Sequence, residues 1–179
     1  MNIHPLFVHF PIALLVVYSV LELGSYFISL LRRQKWIFSV KAFLLFTGVL
    51  TAFVALVTGG IAEDLVAGVN PRAFILEVHS PFAIATTVLY SILAATYIIR
   101  LFDQNGWGNY IAGLSNPFIR IWSLKKYGAY LILDTWFLLL LVTLALIGML
   151  VTGALGAALV YGPNADPFIS FIYHLFWAQ

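Results

Sequence analysis

The residues of this sequence best suited to chemistry are its four histidines, His4, His9, His79 and His174. The chain has no cysteine, which excludes thiolate catalysis, iron–sulfur ligation and covalent attachment of a c-type haem. A neutral imidazole can still serve as an axial ligand of haem iron or as a ligand of zinc or copper. Such chemistry requires a fold that brings at least two of these imidazoles together.

The composition indicates a membrane fold. Of 179 residues, 63% are hydrophobic and only 9% are charged, whereas soluble domains carry roughly 25% charged residues. This composition also argues against nucleic acid as a partner. Four continuous apolar runs, at 6–31, 42–62, 78–99 and 131–160, have about the ~20 residues that a helix needs to cross a bilayer. We therefore predict a single all-α membrane domain over residues 1–179, a bundle of four transmembrane helices.

The distribution of basic residues predicts the orientation of these helices. The N-terminal run lacks a basic n-region and a cleavage pattern, so we interpret it as the first span. Arg72 alone among the basic residues falls on the side of the termini. The others lie between spans one and two or between spans three and four: Arg32, Arg33, Lys35, Lys41, Arg100, Arg120, Lys125 and Lys126. The positive-inside rule then predicts that both termini, and all four histidines, lie on the outer side of the membrane.

The segment 103–130 is predicted to be a partly amphipathic loop on the cytoplasmic surface.

The sequence also repeats itself. The spacing H-x-P-x-A opens spans one and three, at His9 and His79, and the tetrapeptide L-V-T-G recurs late in spans two and four, at 56–59 and 150–153. These matches predict two parallel-repeated helical hairpins, repeat one at about 4–78 and repeat two at about 79–179. Because both copies have the same orientation, the expected two-fold axis lies along the membrane normal, with spans one and three opposite each other.

The repeat places His9 and His79 at a similar depth, which suits two axial ligands of one haem b held between facing helices. Arg72 is then a candidate to neutralise a haem propionate. His4 and His174 are further candidate metal ligands, either in a second site or in place of one member of the first pair. A zinc or copper site of three histidines with Glu77 or Glu63 is an alternative. So is a set of imidazoles that bond only to backbone carbonyls.

Two other features bear on the interior of the bundle. Glu22 lies within the first span, where a carboxylate is costly; it could relay a proton, contact a quinone headgroup, or be a neutral structural residue, and we favour the last. Small residues form stripes along spans two and four, which predict close helix packing: Gly48, Ala52, Ala55 and Gly59, and then Gly148, Thr152 and Gly156.

The N-terminal residues carry a family resemblance. The run H-P-L-F-V-H-F-P-I-A-L at 4–14 resembles the signature H-P-L-x-V-H-F-P-I-A-L of a bacterial family of four-span membrane domains of unknown function. Thr58, Gly59 and His79 are similar to later parts of that pattern. Members of the family occur alone or fused to Rieske or cytochrome c domains. The resemblance therefore implies a bacterial inner-membrane protein with redox work at the outer face, and with a Rieske protein or a periplasmic c-type cytochrome as a partner.

Two functions remain open. In the first, the protein is a b-type cytochrome-like electron-transfer subunit of a membrane redox complex, with haem b bound near the outer face and a quinone nearby. In the second, it is a cofactor-free accessory subunit of a larger respiratory or photosynthetic complex. Both readings favour a carrier or accessory subunit over a stand-alone enzyme, and both place the chain among lipids and other subunits.

Overall fold

The computed structural model describes residues 4–66, 71–107, 110 and 116–177. The fold is all-helical, and four of its helical segments are long and apolar enough to cross a membrane: His4–Phe27, Trp36–Asp64, Ala73–Gln104 and Trp136–Tyr161. The elements in chain order are α1 (His4–Phe27), α2 (Ser29–Arg33), α3 (Lys35–Val66), a 3₁₀ turn (Ala73–Ile75), α4 (Leu76–Gln104), α5 (Asn116–Leu133), α6 (Trp136–Tyr161) and α7 (Pro167–Phe176). The prediction of an all-α membrane bundle with four spans is confirmed.

The four long helices form a ring. Helix α1 packs mainly on α3 and α4 mainly on α6, while contacts between α3 and α4 and between α1 and α6 complete the bundle. Helices α1 and α4 therefore lie on one diagonal, as the repeat predicts. Helices α1 and α4 begin, and α3 and α6 end, at what we call the histidine end. The opposite end, where α5 joins α6, is the basic end.

In each hairpin, a glycine allows the two helices to pack closely against each other. A Cβ atom placed on Gly48 of α3 would lie 2.5 Å from Cδ2 of Leu15, and one on Gly148 of α6 would collide with Oγ1 of Thr86. Leu15 and Thr86 are both buried, so neither side chain has open space to move into. The predicted packing role of the small-residue stripes is confirmed at these two positions.

The structure corrects two predicted boundaries at the basic end. The segment predicted as a loop, 103–130, contains a helix, because its described residues from 116 onward belong to α5 (Asn116–Leu133). The fourth span begins at Trp136 rather than at 131, since the hydroxyl of Thr135 accepts a hydrogen bond of 3.3 Å from the backbone N–H of Phe137. This cap starts a new helix after α5 has ended.

The chain after α6 folds back onto the bundle at the histidine end. Helix α6 stops at Gly162, whose φ of +103° favours glycine. The Asp166 side chain caps α7 by accepting hydrogen bonds of 2.8 and 2.9 Å from the backbone N–H groups of Phe168 and Ile169. Ile169 and Ile172 are buried in a cluster with Leu155 and Ile75, which fixes α7 against α6.

Candidate functional site

A charged cluster lies inside the bundle where α1, α3 and α4 meet. Glu22 of α1 is 5% exposed, and its Oε1 is 2.7 Å from Nζ of Lys41 in α3. The hydroxyl of Tyr97 in α4 donates a hydrogen bond to the other carboxylate oxygen. Both oxygens of Glu22 therefore have partners, which is the condition under which a charge inside a membrane is tolerated.

Tyrosines extend this cluster along the diagonal between α1 and α4. Tyr18 contacts Tyr97 and Tyr90 edge-on, with ring centroids 6.0 and 6.3 Å apart. Ser19 donates its proton to the carbonyl of Leu15, so Tyr90 is the donor in its 2.8 Å hydrogen bond with Ser19. The Tyr18 hydroxyl is buried and has no hydrogen-bond partner within the described part of the chain.

The cluster changes the interpretation of two residues. The sequence placed Lys41 between the first two spans, and this is wrong because Lys41 lies within α3 and is only 8% exposed. Glu22 is hydrogen-bonded, and its partners are a lysine and a tyrosine that the sequence did not identify. One feature of the sequence indicates that Lys41 is buried: it lies directly before the apolar run 42–62.

Ion pairs at the basic end are more exposed. Arg100 Nη1 lies 2.7 Å from Asp134, and Lys126 Nζ lies 2.7 Å from Asp103. The hydroxyl of Tyr130 donates a hydrogen bond of 2.8 Å to the same Asp103 carboxylate. These hydrogen bonds to Asp103 raise the pKa of both Lys126 and Tyr130 above their usual values. Lys126 thus stays charged and has its counter-ion, Asp103, within the protein.

At the histidine end, His4 is held by the first L-V-T-G segment. Its Nδ1 lies 3.1 Å from Oγ1 of Thr58, and its Cε1 lies 3.2 Å from where a Cβ atom of Gly59 would be. The Thr58 hydroxyl can donate its proton to the backbone carbonyls of Val54 and Ala55 and accept from His4 when the imidazole carries its proton on Nδ1. In this tautomer Nε2 carries the lone pair.

His79 occupies the matching place in the second hairpin. Its Cε1 lies 3.2 Å from where a Cβ atom of Gly156 would be, and the backbone of Thr152 is close. Its Nδ1 is buried without a hydrogen-bond partner in the described residues. His4 is near enough to His79 for an electrostatic interaction. The structure therefore places His4 and His79 at the same end of the bundle, on α1 and α4.

The structural counterpart of His79 is His4 rather than His9. Thr58 and Thr152 are the third residues of the two L-V-T-G copies, and each lies beside one of these histidines. His9 is exposed on α1, so the expectation that it faces the interior is wrong. The prolines of the two H-x-P-x-A copies also differ in their surroundings: Pro11 is buried, whereas Pro81 is exposed. The role of His9 as a metal ligand stays a prediction.

Two further predicted site residues have partners within the chain. Nη1 of Arg72 donates to the backbone carbonyls of Leu159 and Val160, at 3.2 and 3.1 Å, and so caps the end of α6. His174 is exposed on α7, and its Nδ1 is 2.7 Å from the carbonyl of Ser170. The cofactor roles of the two residues stay predictions.

Metal ligands do not cluster in larger sets. Within residues 4–66, 71–107 and 116–177, no group of three or more His, Asp or Glu side chains is arranged to hold a metal ion. A cleft of about 260 Å³ lies between α1, α6 and the start of α7. Its lining contains no histidine: Ile12, Val16, Met149, Leu150, Gly153, Ala154, Ala157, Asp166, Phe168 and Ile169.

The fold and these sites define a four-helix membrane protein built from two hairpins, with a buried charged cluster and a pair of histidines at one end. The chain belongs to the family described as "Predicted membrane protein (DUF2231)", whose family model matches residues 1–165. No curated protein and no solved structure matches the chain.

Proposed function

We propose that this protein is an electron-transfer subunit of a membrane redox complex and that it binds haem b at the histidine end through His4 and His79. The observation that carries the proposal is that these two imidazoles lie at the same end of diagonal helices, each against a glycine of the neighbouring helix. Glycine at such positions leaves the room that an imidazole needs close to the helix backbone.

The chemistry of the two imidazoles supports this assignment. Haem ligands usually donate one ring N–H to a fixed oxygen, which orients the ring and leaves the other nitrogen for iron. Thr58 supplies such an oxygen for His4. The unpartnered, buried Nδ1 of His79 is a polar atom whose burial is costly unless something bonds to it. The haem would supply a one-electron iron couple, while the chain's own residues would hold it and exclude water.

The histidine end also suits a soluble redox partner with a basic surface. Four acidic residues lie on the elements that meet there: Glu63, Asp64, Glu77 and Asp166. Opposite charges on a docking partner accelerate encounter, so we propose a periplasmic c-type cytochrome or a Rieske protein as the partner. A quinone in the surrounding lipid would be the second redox partner.

This arrangement requires the histidine end to face the periplasm. We expect both termini of the protein to be periplasmic in the bacterial inner membrane, because all but one of the basic residues lie toward the other end. Alkaline phosphatase fused after Gln179 should be active in intact cells. A fusion to green fluorescent protein at the same position should be dark, and a fluorescent fusion would contradict the orientation.

The haem assignment is tested on the purified full-length protein, produced with a sufficient haem supply. We expect a low-spin b-type signal in the dithionite-reduced minus oxidised spectrum. His4→Ala and His79→Ala should each lose this signal, because a six-coordinate iron needs both imidazoles. His9→Ala and His174→Ala are matched controls that remove an exposed imidazole, and they should keep it.

The outcomes separate the alternatives. His79→Met shows whether loss of signal reflects misfolding, since the thioether can restore ligation with a higher potential. Loss in His9→Ala and His79→Ala, but not in His4→Ala, would support the ligand pair expected from the repeat instead. A wild-type protein that is monodisperse and inserted but free of haem would overturn the proposal.

The second candidate function is a cofactor-free accessory subunit. Two polar side chains at the histidine end favour it, because both have hydrogen-bond partners within the chain. His4 pairs with Thr58, and Arg72 donates to the carbonyls that end α6. The same spectrum distinguishes the two functions, because an accessory subunit gives no haem signal.

A further inference from the structure

We propose that α5 lies in the membrane interface at the basic end and binds anionic phospholipid headgroups through Arg120 and Lys125. The inference is independent of haem, because it rests on a surface far along the chain from the histidines. Its starting observation is that α5 is not among the helices able to cross the membrane, although it exposes several large apolar side chains.

The apolar side chains occupy one side of α5. Leu124 is 72% exposed, Phe118 59%, Ile121 54% and Leu131 41%. At 3.6 residues per turn these four positions span an arc of roughly 140°. The protein-facing side of the helix carries the buried Ala129 and Leu133. The exposed apolar arc thus has no cover within the described part of the chain, and lipid is the medium that suits it.

Two cations border this arc. By the same helical geometry Arg120 and Lys125 lie near its opposite margins, and both are exposed. Neither forms an ion pair with a described residue, whereas Lys126 and Arg100 are paired with Asp103 and Asp134. The structure therefore distinguishes two available cations from two that already have a counter-ion.

An apolar stripe bordered by cations is the pattern of a helix that lies at a membrane surface and contacts anionic lipid. Exposed aromatic rings nearby on the same end fit the interface, where indole and phenol groups concentrate: Trp107, Tyr110, Tyr127 and Trp136. Because the stripe and both charges belong to one helix, the occupant we propose is an anionic phospholipid of the surrounding bilayer.

Native mass spectrometry of the full chain in a nonionic detergent tests the charge requirement. The protein is titrated with dioleoyl-phosphatidylglycerol and, separately, with dioleoyl-phosphatidylcholine. We expect selective binding of the anionic lipid, reduced about fivefold by Arg120→Gln and by Lys125→Gln, as about 1 kcal/mol per cation implies. Lys126→Gln is the matched control and should leave the selectivity within about twofold, because Lys126 is paired with Asp103.

Spin labels test the position of the helix. The chain has no cysteine, so Ile121→Cys and Ser123→Cys each give a single labelling site in phosphatidylglycerol-containing nanodiscs. The label at 121 should be more accessible to oxygen than to a nickel chelate, and the label at 123 should show the opposite. Equal nickel accessibility at both positions, or binding without lipid selectivity, would overturn the proposal and leave this face to a protein partner.

Discussion

Replacing Lys41 with methionine is expected to destabilise the bundle by about 3–5 kcal/mol, because the substitution leaves the buried carboxylate of Glu22 without its cation. The hydrogen bond from Tyr97 would remain, but one hydroxyl cannot compensate a full charge at this depth. The free energy of unfolding, measured by titration with a denaturing detergent in mixed micelles, gives the size of the loss.

Two variants show that the loss comes from the unpaired charge. Glu22→Gln combined with Lys41→Met removes both charges and keeps an acceptor for Tyr97, so it should recover most of the stability. Asp134→Asn removes an ion pair at a position that is 51% exposed, and it should change stability by no more than about 1 kcal/mol. If Lys41→Met were as stable as wild type, Glu22 would have to be neutral without its lysine.

The sequence predicts the four spans well but not the partners of Glu22. Hydropathy identifies which residues lie in the membrane, since an apolar run of sufficient length has few alternatives. Hydropathy does not show how each helix is rotated about its own axis, and therefore which of its faces meets a neighbouring helix. Lys41 and Tyr97 lie 19 and 75 residues from Glu22, and they meet it only because α1, α3 and α4 pack with these faces together.

The histidines show the same limit. The repeated spacing H-x-P-x-A makes His9 the counterpart of His79 in the sequence, but the contacts make His4 the counterpart. The register between paired helices decides this, because it sets which residue of α1 lies opposite the L-V-T-G segment of α3. A local motif carries no information about that register, whereas the glycines that allow close approach do carry some.

Glycine substitutions measure this register directly. Gly48→Ala in α3 and Gly148→Ala in α6 are each expected to destabilise the bundle by about 1–3 kcal/mol, because the new methyl group overlaps Leu15 or Thr86. Gly60→Ala and Gly153→Ala are matched controls in the same two helices, since nothing lies within 4 Å of a Cβ atom at either position. The controls should instead gain up to about 1 kcal/mol from the higher helix propensity of alanine.

The coupling between Gly48 and Leu15 separates this packing effect from a general effect on α3. Leu15→Ala alone should cost about 2–5 kcal/mol, because Leu15 is fully buried. Once Leu15 is shortened, the methyl group of Gly48→Ala fills part of the space that the leucine has left. The double variant should therefore be more stable than the sum of the single losses predicts, by about 0.5–3 kcal/mol. Additive losses would mean that Gly48 does not lie against Leu15, and the pairing of α1 with α3 would then have to be shifted along the helices.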